Sequence, residues 1–166
     1  MKRAVLIALA ATAAIGIGAF PAAAQNASQI ASAQRGANCG GCNLFQADLQ
    51  GKTLKGRNFA HARLRQADMS LGIFNGSVFS GADLRDVNAY GALFSSANFS
   101  GANLTNASFV GTYLEGANFS GATLTGANFS GAEMDRARGL TQARLDAACG
   151  DEATRLPAGL RIRRCR

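Results

Sequence analysis

The sequence predicts an all-β solenoid, a rod built from short coils that stack on one another. A bulky apolar residue recurs at every fifth position through nineteen units from Leu44 to Met134, and only Ala89 in this series is small. A small residue, usually alanine, precedes most of the bulky ones by two positions, and glycine often follows them by two. A period of five matches neither the helical period of 3.6 residues nor the strand period of two.

Each five-residue unit is interpreted as one short side and one corner of a coil. Glycine at a fixed phase would cost a helix about 1 kcal/mol per residue, whereas it suits a repeated turn. The bulky residue and the alanine are predicted to point inward, and because so small a unit cannot bury its own apolar face, the units must stack. At Ala89 the pattern predicts a weak coil or an inward gap that Met69 and Phe109 fill.

The identity of the bulky residues indicates four sides per coil. At a spacing of twenty residues, 9 of 15 pairs of bulky positions are identical, against 4 of 16 at a spacing of fifteen. Leu44 begins a column of leucines and Phe59 a column of phenylalanines. We expect a square coil of twenty residues that rises roughly 4.8 Å per coil. Phe99 should then be buried between Phe79 and Phe119.

The repeated unit, Ala-Asp/Asn-Leu/Phe-x-Gly, resembles that of the pentapeptide-repeat family. Residues 82–85 (Ala-Asp-Leu-Arg) and 97–101 (Ala-Asn-Phe-Ser-Gly) are examples. The resemblance covers about 90 of the 166 residues. It implies a right-handed quadrilateral β-helix, and because it carries no active-site motif it implies little about function.

The N-terminal segment has the pattern of a secretory signal peptide. A basic start at Lys2 and Arg3 precedes an almost wholly apolar run over 4–20 and small residues that end at Ala24. We predict a signal peptide over 1–24 and export to the periplasm or the medium. The alternative is a retained membrane anchor, for which the run is barely long enough. A lipid anchor is not expected, because no cysteine follows the run directly.

The mature chain is predicted to have three parts. Residues 25–38 are small, polar and aperiodic, which predicts a flexible lead-in. Residues 39–138 should form the β-helix and residues 139–166 a short helical and loop cap. Within the cap we expect a helix that Thr141 caps and Gly150 ends. A cap is needed because the last coil of a solenoid exposes apolar side chains and unpaired backbone.

Charge is distributed unevenly along the chain. Removal of the leader leaves 15 basic and 10 acidic side chains, a net charge of +5. Between Leu44 and Arg136, seven basic residues balance seven acidic ones, so the excess lies in Arg35 and the C-terminal tail. A basic tail can attract anionic surfaces, although a solvated chain end is the more common explanation.

The four cysteines are predicted to form two structural disulfides, Cys39–Cys42 and Cys149–Cys165. The first pair falls on inward phases of the first coil, and the second lies beyond the last coil, about 20 Å away by the coil rise. A disulfide needs Cα atoms within about 7 Å, and export favours oxidation. The alternatives for Cys-Gly-Gly-Cys are a redox site or half of a zinc site. No strand–helix context, second nearby cysteine pair or nearby histidine supports either.

No residue pattern indicates catalysis, so we predict that the protein is not an enzyme and needs no cofactor or metal. His61, the only histidine, falls on an exposed corner without a nucleophile beside it. Asp48 and Asp68 share an outward column with Asn88 and Ser108 and could hold a cation. Their flat, exposed setting favours solvated acids instead.

One outward column is apolar, unlike most of the predicted surface. Twenty-residue spacing stacks Ile73, Leu93 and Tyr113 into a vertical stripe, with Leu71 and Tyr90 at neighbouring corners. An exposed apolar patch marks a contact surface, so we predict that the stripe binds an unknown protein partner or a second copy of the chain. The alternative is that β-branched and aromatic residues merely suit a strand surface.

The predicted function is that of a non-enzymatic exported scaffold that presents flat faces for protein–protein interaction. The family resemblance suggests an alternative, mimicry of DNA to occupy type II topoisomerases. That role needs a strongly acidic cytoplasmic rod, whereas this rod is neutral and its tail basic, so no nucleic-acid partner is expected. A purely structural envelope component is a further alternative that the sequence does not separate from the first. No membrane span is expected after signal cleavage.

Overall fold

The computed structural model describes residues 25–166, so the predicted signal peptide lies outside the described residues. Most of the described chain is a stack of square coils, closed at its lower, N-terminal end by one helix and at its upper end by a cap. No helix within residues 25–166 has the length and hydrophobicity of a membrane span.

Parallel β-bridges join residues twenty positions apart on all four sides of the coil. The residue before each bulky position makes the bridge, so Arg63 pairs with Asn43 below it and Asp83 above it. The Arg63 N–H donates to the Cys42 carbonyl at 2.8 Å, and its carbonyl accepts from the Leu44 N–H at 2.8 Å. This register confirms the predicted twenty-residue coil.

The four sides of the stack form four flat faces, defined here by their bridging residues from the lower end upward. Face 1 comprises Asn43, Arg63, Asp83, Asn103 and Thr123. Face 2 comprises Asp48, Asp68, Asn88, Ser108 and Asn128. Face 3 comprises Thr53, Ile73, Leu93, Tyr113 and Glu133. Face 4 comprises Asn58, Val78, Asn98, Asn118 and Arg138.

A type II β-turn forms the corners between faces. At the corner after Phe99, the N–H of Ala102 donates to the Phe99 carbonyl at 3.0 Å, and Gly101, the third turn residue, has φ 66°. Positive φ at the third turn position but not at the second defines a type II turn and explains the recurring glycine. Seven corners instead hold a non-glycine residue at positive φ: Gln46, His61, Gln66, Leu71, Asp86, Ser96 and Asn106.

The bulky residues and alanines fill the interior, as predicted. Phe99 is fully buried, and its ring stacks between those of Phe79 and Phe119 with centroid distances of 5.2 and 5.3 Å. Behind face 3, the Phe94 ring meets the Phe99 ring edge-on at 5.4 Å. Both arrangements are favoured for aromatic pairs, so one continuous aromatic column supports faces 3 and 4.

The N-terminal segment corrects one prediction. Residues 25–38 are not a flexible lead-in, because Ala27–Gln34 forms helix α1, capped by the Asn26 side chain, which accepts from the Gln29 N–H at 3.2 Å. Ala33 is fully buried against the lower end of the core. The helix buries alanine rather than a bulky residue, which is why no periodic signal marks it.

Helix α1 and the following loop also satisfy backbone groups along the lower edge of the coils. The Gln29 side-chain oxygen accepts from the Asn43 N–H at 2.7 Å, and the Gln34 amide donates to the Asp48 carbonyl at 2.8 Å. On face 4, the Asn38 side chain accepts from the Asn58 N–H at 3.0 Å. The lower edges of faces 1, 2 and 4 are therefore covered.

The C-terminal cap contains the predicted helix in a shorter form. Helix α2 spans Gln142–Leu145, and the Thr141 hydroxyl accepts from the Arg144 N–H at 3.4 Å, which confirms the predicted N-cap. Gly150 does not end the helix, because the chain leaves it at Leu145 and then pairs with the last coil, Cys149 bridging Asn128. Pairing with that open edge satisfies backbone groups that a longer helix would leave unpaired.

Candidate interaction surface

The structure brings the five stripe residues together on face 3 and its corner with face 2. Ile73, Leu93 and Tyr113 bridge one another in the predicted order. The large hydrophobic residues exposed within 25–166 are Leu71, Tyr90 and Tyr113, at 59, 55 and 47%. All three belong to this stripe, which is therefore the part of the described surface where exposed apolar side chains are concentrated.

Val110 extends the stripe by one residue that the prediction omitted. It follows Tyr90 by twenty positions, so it occupies the same corner column one coil higher, and it is half-buried. The spacing that placed the other residues would have found it.

Leu71 adopts a backbone conformation that leucine rarely does. Its φ is 56°, at a corner where glycine stands in most other coils, and the left-handed region costs a non-glycine residue roughly 1–2 kcal/mol. Its side chain reaches over the next coil, because a Cβ added to Gly91 would lie 3.0 Å from the Leu71 Cδ2. A strained residue that exposes an apolar side chain points to a role outside the core.

Face 3 changes charge from its lower to its upper end. Lys52 and Lys55, the only lysines after the leader, are exposed at the lower end. Glu133 and Asp135 stand at the upper end, and none of these four side chains forms an ion pair with another residue of 25–166. Arg155 lies one bridge above Glu133. The apolar stripe therefore separates unpaired charges of opposite sign.

The lower edge of face 3 is open, unlike the other three. Within residues 25–166, no group hydrogen-bonds to the N–H or the carbonyl of Thr53. Flanking lysines are a common way to keep such an edge from pairing with another chain, so Lys52 and Lys55 protect the edge as well as charging the face.

Face 1 carries a network of ion pairs instead of apolar residues. Arg85 binds Asp83 through two hydrogen bonds of 2.8 and 2.7 Å, and this contact lowers the pKa of the Asp83 carboxyl. The Arg65 Nε lies 3.5 Å from the Asp86 carboxylate, and the Arg63 guanidinium lies over the Phe45 ring at 5.4 Å. The arginines here are engaged within the chain.

The acidic column on face 2 is tied to its own backbone. The Asp48 carboxylate accepts from the Gln50 N–H at 3.1 Å, and that of Asp68 accepts from the Ser70 N–H at 2.9 Å and the Asn88 amide at 3.3 Å. No group of three or more potential metal ligands is found in the described part of the chain. The carboxylates stabilise turns and a side-chain ladder.

Face 4 and its corner are flat and built mainly from asparagine, serine and glycine. The Asn118 amide donates to the Asn98 side-chain oxygen at 3.2 Å, one coil below. His61 lies at an exposed corner with φ 57°, and its ring covers Gly81, where an added Cβ would lie 2.6 Å from it. The histidine thus packs on the neighbouring coil.

Both predicted disulfides are present. The Cα atoms are 5.1 Å apart in Cys39–Cys42 and 4.8 Å apart in Cys149–Cys165, and residues 25–166 contain no free cysteine. The first bond lies beneath the first coil, where Cys39 is buried. The second ties the chain end to the cap. Both therefore close the ends of the stack.

The basic tail is part of the cap. Two surface depressions of about 390 and 350 Å³ lie beside the Cys149–Cys165 bond, and Arg164 lines both. Arg164 forms an ion pair with Glu152, and the Arg163 Nε donates to the Ala148 carbonyl at 2.9 Å. These arginines are used in holding the tail against the cap.

The fold defines a β-solenoid scaffold with one apolar face. Two family models, both described as pentapeptide repeats, match the chain: one with eight copies over 37–76 and 102–138, the other with nine copies over 73–118. Together they span 37–138, and the chain belongs to the pentapeptide-repeat family. No curated protein matches it by sequence.

Several solved structures are similar to the chain. A trypsin-treated form of QnrB1, a plasmid-mediated fluoroquinolone resistance protein, is 17% identical over 77% of this chain and 85% of that one, with a TM-score of 0.51. Rfr23 from the cyanobacterium Cyanothece 51142 is 28% identical over 63 and 64% of the two chains, with a TM-score of 0.35. A pentapeptide repeat protein of the Arabidopsis thaliana thylakoid lumen is 28% identical over 64 and 80%, with a TM-score of 0.30. The likeness to QnrB1 shows the shared right-handed β-helix fold alone.

Proposed function

We propose that the protein is a non-enzymatic, exported scaffold that binds a protein partner through the stripe on face 3. The observation that carries the proposal is the concentration of exposed Leu71, Tyr90 and Tyr113 on face 3 and its corner with face 2, in a rod whose interior is filled. Contact surfaces combine such an apolar centre with a polar surround. Face 3 has this pattern, with unpaired charges above and below the stripe.

The partner-binding part of the proposal is tested with a triple variant, Ile73→Ser, Leu93→Asn and Tyr113→Asn. The variant should fold like the wild type, because these side chains point outward, and it should lose association in light scattering and in pull-down from the native exported fraction. Thr123→Asn with Thr125→Asn, both exposed on or beside face 1, is the matched control and should associate normally. Unchanged association of the triple variant would reject the stripe as the binding face.

Export is tested separately by the mass of the protein recovered from its native cell. The N-terminal pattern supports cleavage after Ala24, so the exported form should begin at Gln25. Recovery of the uncleaved chain in the cytosol would overturn this part of the proposal and leave the stripe hypothesis standing. Mimicry of DNA is not favoured, because the equal numbers of acidic and basic residues between Leu44 and Arg136 give the rod no excess negative charge.

A further inference from the structure

We propose that the stripe on face 3 pairs with face 3 of a second copy, and that the two rods run antiparallel about a two-fold axis. This inference rests on the proposed function, since it names the partner of the same stripe. Three features of face 3 support it: the order of its apolar residues, the position of its charges, and the shape of its corner column.

The apolar residues are placed symmetrically about the middle of the rod. Below Arg155 of the cap, face 3 has five bridging positions in the repeat coils, and Leu93 is the third of them, with Ile73 below and Tyr113 above. In an antiparallel pair centred on Leu93, each column faces the same column of the other copy in reverse order. Ile73 then packs against the partner's Tyr113 and Leu93 against the partner's Leu93. A shift by one coil would leave an apolar residue at each end uncovered.

The charges select the antiparallel arrangement. In the column beside the stripe, Lys55 stands in the first coil and Asp135 in the fifth, eighty residues and four coils later. Reversal places each Lys55 opposite the partner's Asp135, and symmetry makes two such contacts. A parallel pair would instead put both lysine ends at one level and both acidic ends at another, where like charges repel.

Neighbouring arginines do not cancel this pairing. Arg136 is engaged with Glu115 of its own chain at 3.3 Å. Arg155 lies one coil above Glu133, so in the antiparallel pair it extends beyond the partner's first coil. Lys55 and Asp135 are both exposed and without an ion pair within the described residues, so both are free to pair across the interface.

The corner column supplies a protruding side chain and, opposite it, open space at a glycine. Leu71 is the only non-glycine residue among the corners Gly51, Leu71, Gly91, Gly111 and Gly131. Reversal places Leu71 opposite the partner's Gly111, where a Cβ would meet no atom within 4 Å. The dimer therefore gives the strained, exposed leucine a space to occupy.

The size of face 3 limits the strength of the dimer. Five coils at ~4.8 Å make a face about 24 Å tall, and three extended residues make it about 10 Å wide. Two such faces bury on the order of 500 Å², which is below the ~1,200 Å² of stable complexes. The dimer should therefore be weak and should form over roughly 10 µM to 1 mM protein.

The test is sedimentation equilibrium at low salt on the mature protein and on charge-reversed variants. Lys55→Glu alone and Asp135→Lys alone should each weaken self-association roughly tenfold, because each puts like charges at both contacts. The two changes in one chain should restore it. An equimolar mixture of the two single variants should also associate, because every contact in the mixed dimer then joins opposite charges.

The outcomes separate this inference from the proposed function. Restoration in the double variant and in the mixture, with unchanged circular dichroism, supports the antiparallel dimer. If the single variants associate like the wild type while the Ile73, Leu93 and Tyr113 triple variant does not, the antiparallel orientation is wrong and the stripe remains an interface. A wild type that is monomeric throughout overturns the dimer but not capture of a foreign partner. If the triple variant associates and captures normally, both proposals fail.

Discussion

Val87 and Ala89 reverse the usual order of a small and a bulky residue within one five-residue unit. Ala89 occupies a bulky position and Val87 the small position two residues before it, and both are buried. The larger side chain thus enters the core from the neighbouring position, which adds the volume that Ala89 lacks. The prediction named only Met69 and Phe109, which are buried in the coils below and above.

This exchange predicts strong coupling between the two positions. Val87→Ala alone should lower the free energy of unfolding by about 1–2 kcal/mol through a cavity, and Ala89→Leu alone by about 1–3 kcal/mol through overpacking. The double variant restores the regular pattern and should unfold within about 1 kcal/mol of the wild type. Urea titration of all four proteins measures the coupling; additive effects would show that the two side chains do not share one space.

The aromatic column predicts a large cost at its centre. Phe99→Ala should lower the free energy of unfolding by about 3–5 kcal/mol, because the ring is fully buried and stacked on both sides. Thr125→Ala, at an exposed position, serves as the control and should change it by less than about 0.5 kcal/mol. Equal midpoints for the two variants in urea would contradict the inward assignment.

The two disulfides should contribute unequally. Loop-closure entropy assigns about 3 kcal/mol to Cys149–Cys165, with its sequence separation of 16, and about 1.5 kcal/mol to Cys39–Cys42, with a separation of 3. Replacing the C-terminal pair by alanine should therefore destabilise the protein more, and hydrogen exchange should localise the loss to the cap. Faster exchange at α1 in that variant, with an unchanged cap, would contradict this.

Asp151 predicts a pH-dependent contact between the cap and the last coil. Its carboxylate accepts from the Gly131 N–H at 2.8 Å and from the Ala153 N–H at 3.0 Å, and these bonds, led by the one from Gly131, lower the pKa of the carboxyl. A lowered folded pKa means that the stabilisation is present above the ordinary value of about 3.9 and is lost as the pH falls through the folded value. The Gly131 amide shift should therefore titrate below pH ~4, and not in Asp151→Asn.

The fold could be predicted from the sequence wherever a residue's phase determines its neighbours. The burial of Phe99 and the pairing of the cysteines could be predicted from the period of five and the coil of twenty residues. Helix α1 could not, because its buried face consists of residues such as Ala33 and the partly buried Ile30. The helix is stabilised by packing against the open lower coil, and a search for periodic bulky residues does not detect such a contact.

The site could be predicted in part for the same reason. Twenty-residue spacing placed Ile73, Leu93 and Tyr113 in one column, and the structure keeps them there. The sequence analysis missed that Lys55 and Asp135 place opposite charges at the two ends of one column. Both lie on the same phase, but the two residues are eighty positions apart. Comparing charges at the two ends of each column would have found it.

A substitution at Leu71 should change stability and self-association in opposite directions. Leu71→Gly removes a side chain from a backbone with φ 56°, so relief of the left-handed strain should raise the free energy of unfolding by about 1 kcal/mol. It also removes an apolar side chain that is 59% exposed, so self-association should weaken. Gln66→Gly, at the corner between faces 1 and 2 with φ 60°, relieves similar strain away from face 3 and should stabilise the protein with association unchanged. Thermal melting and sedimentation on both variants check this; equal association of Leu71→Gly and Gln66→Gly would show that the exposed leucine has no role in binding.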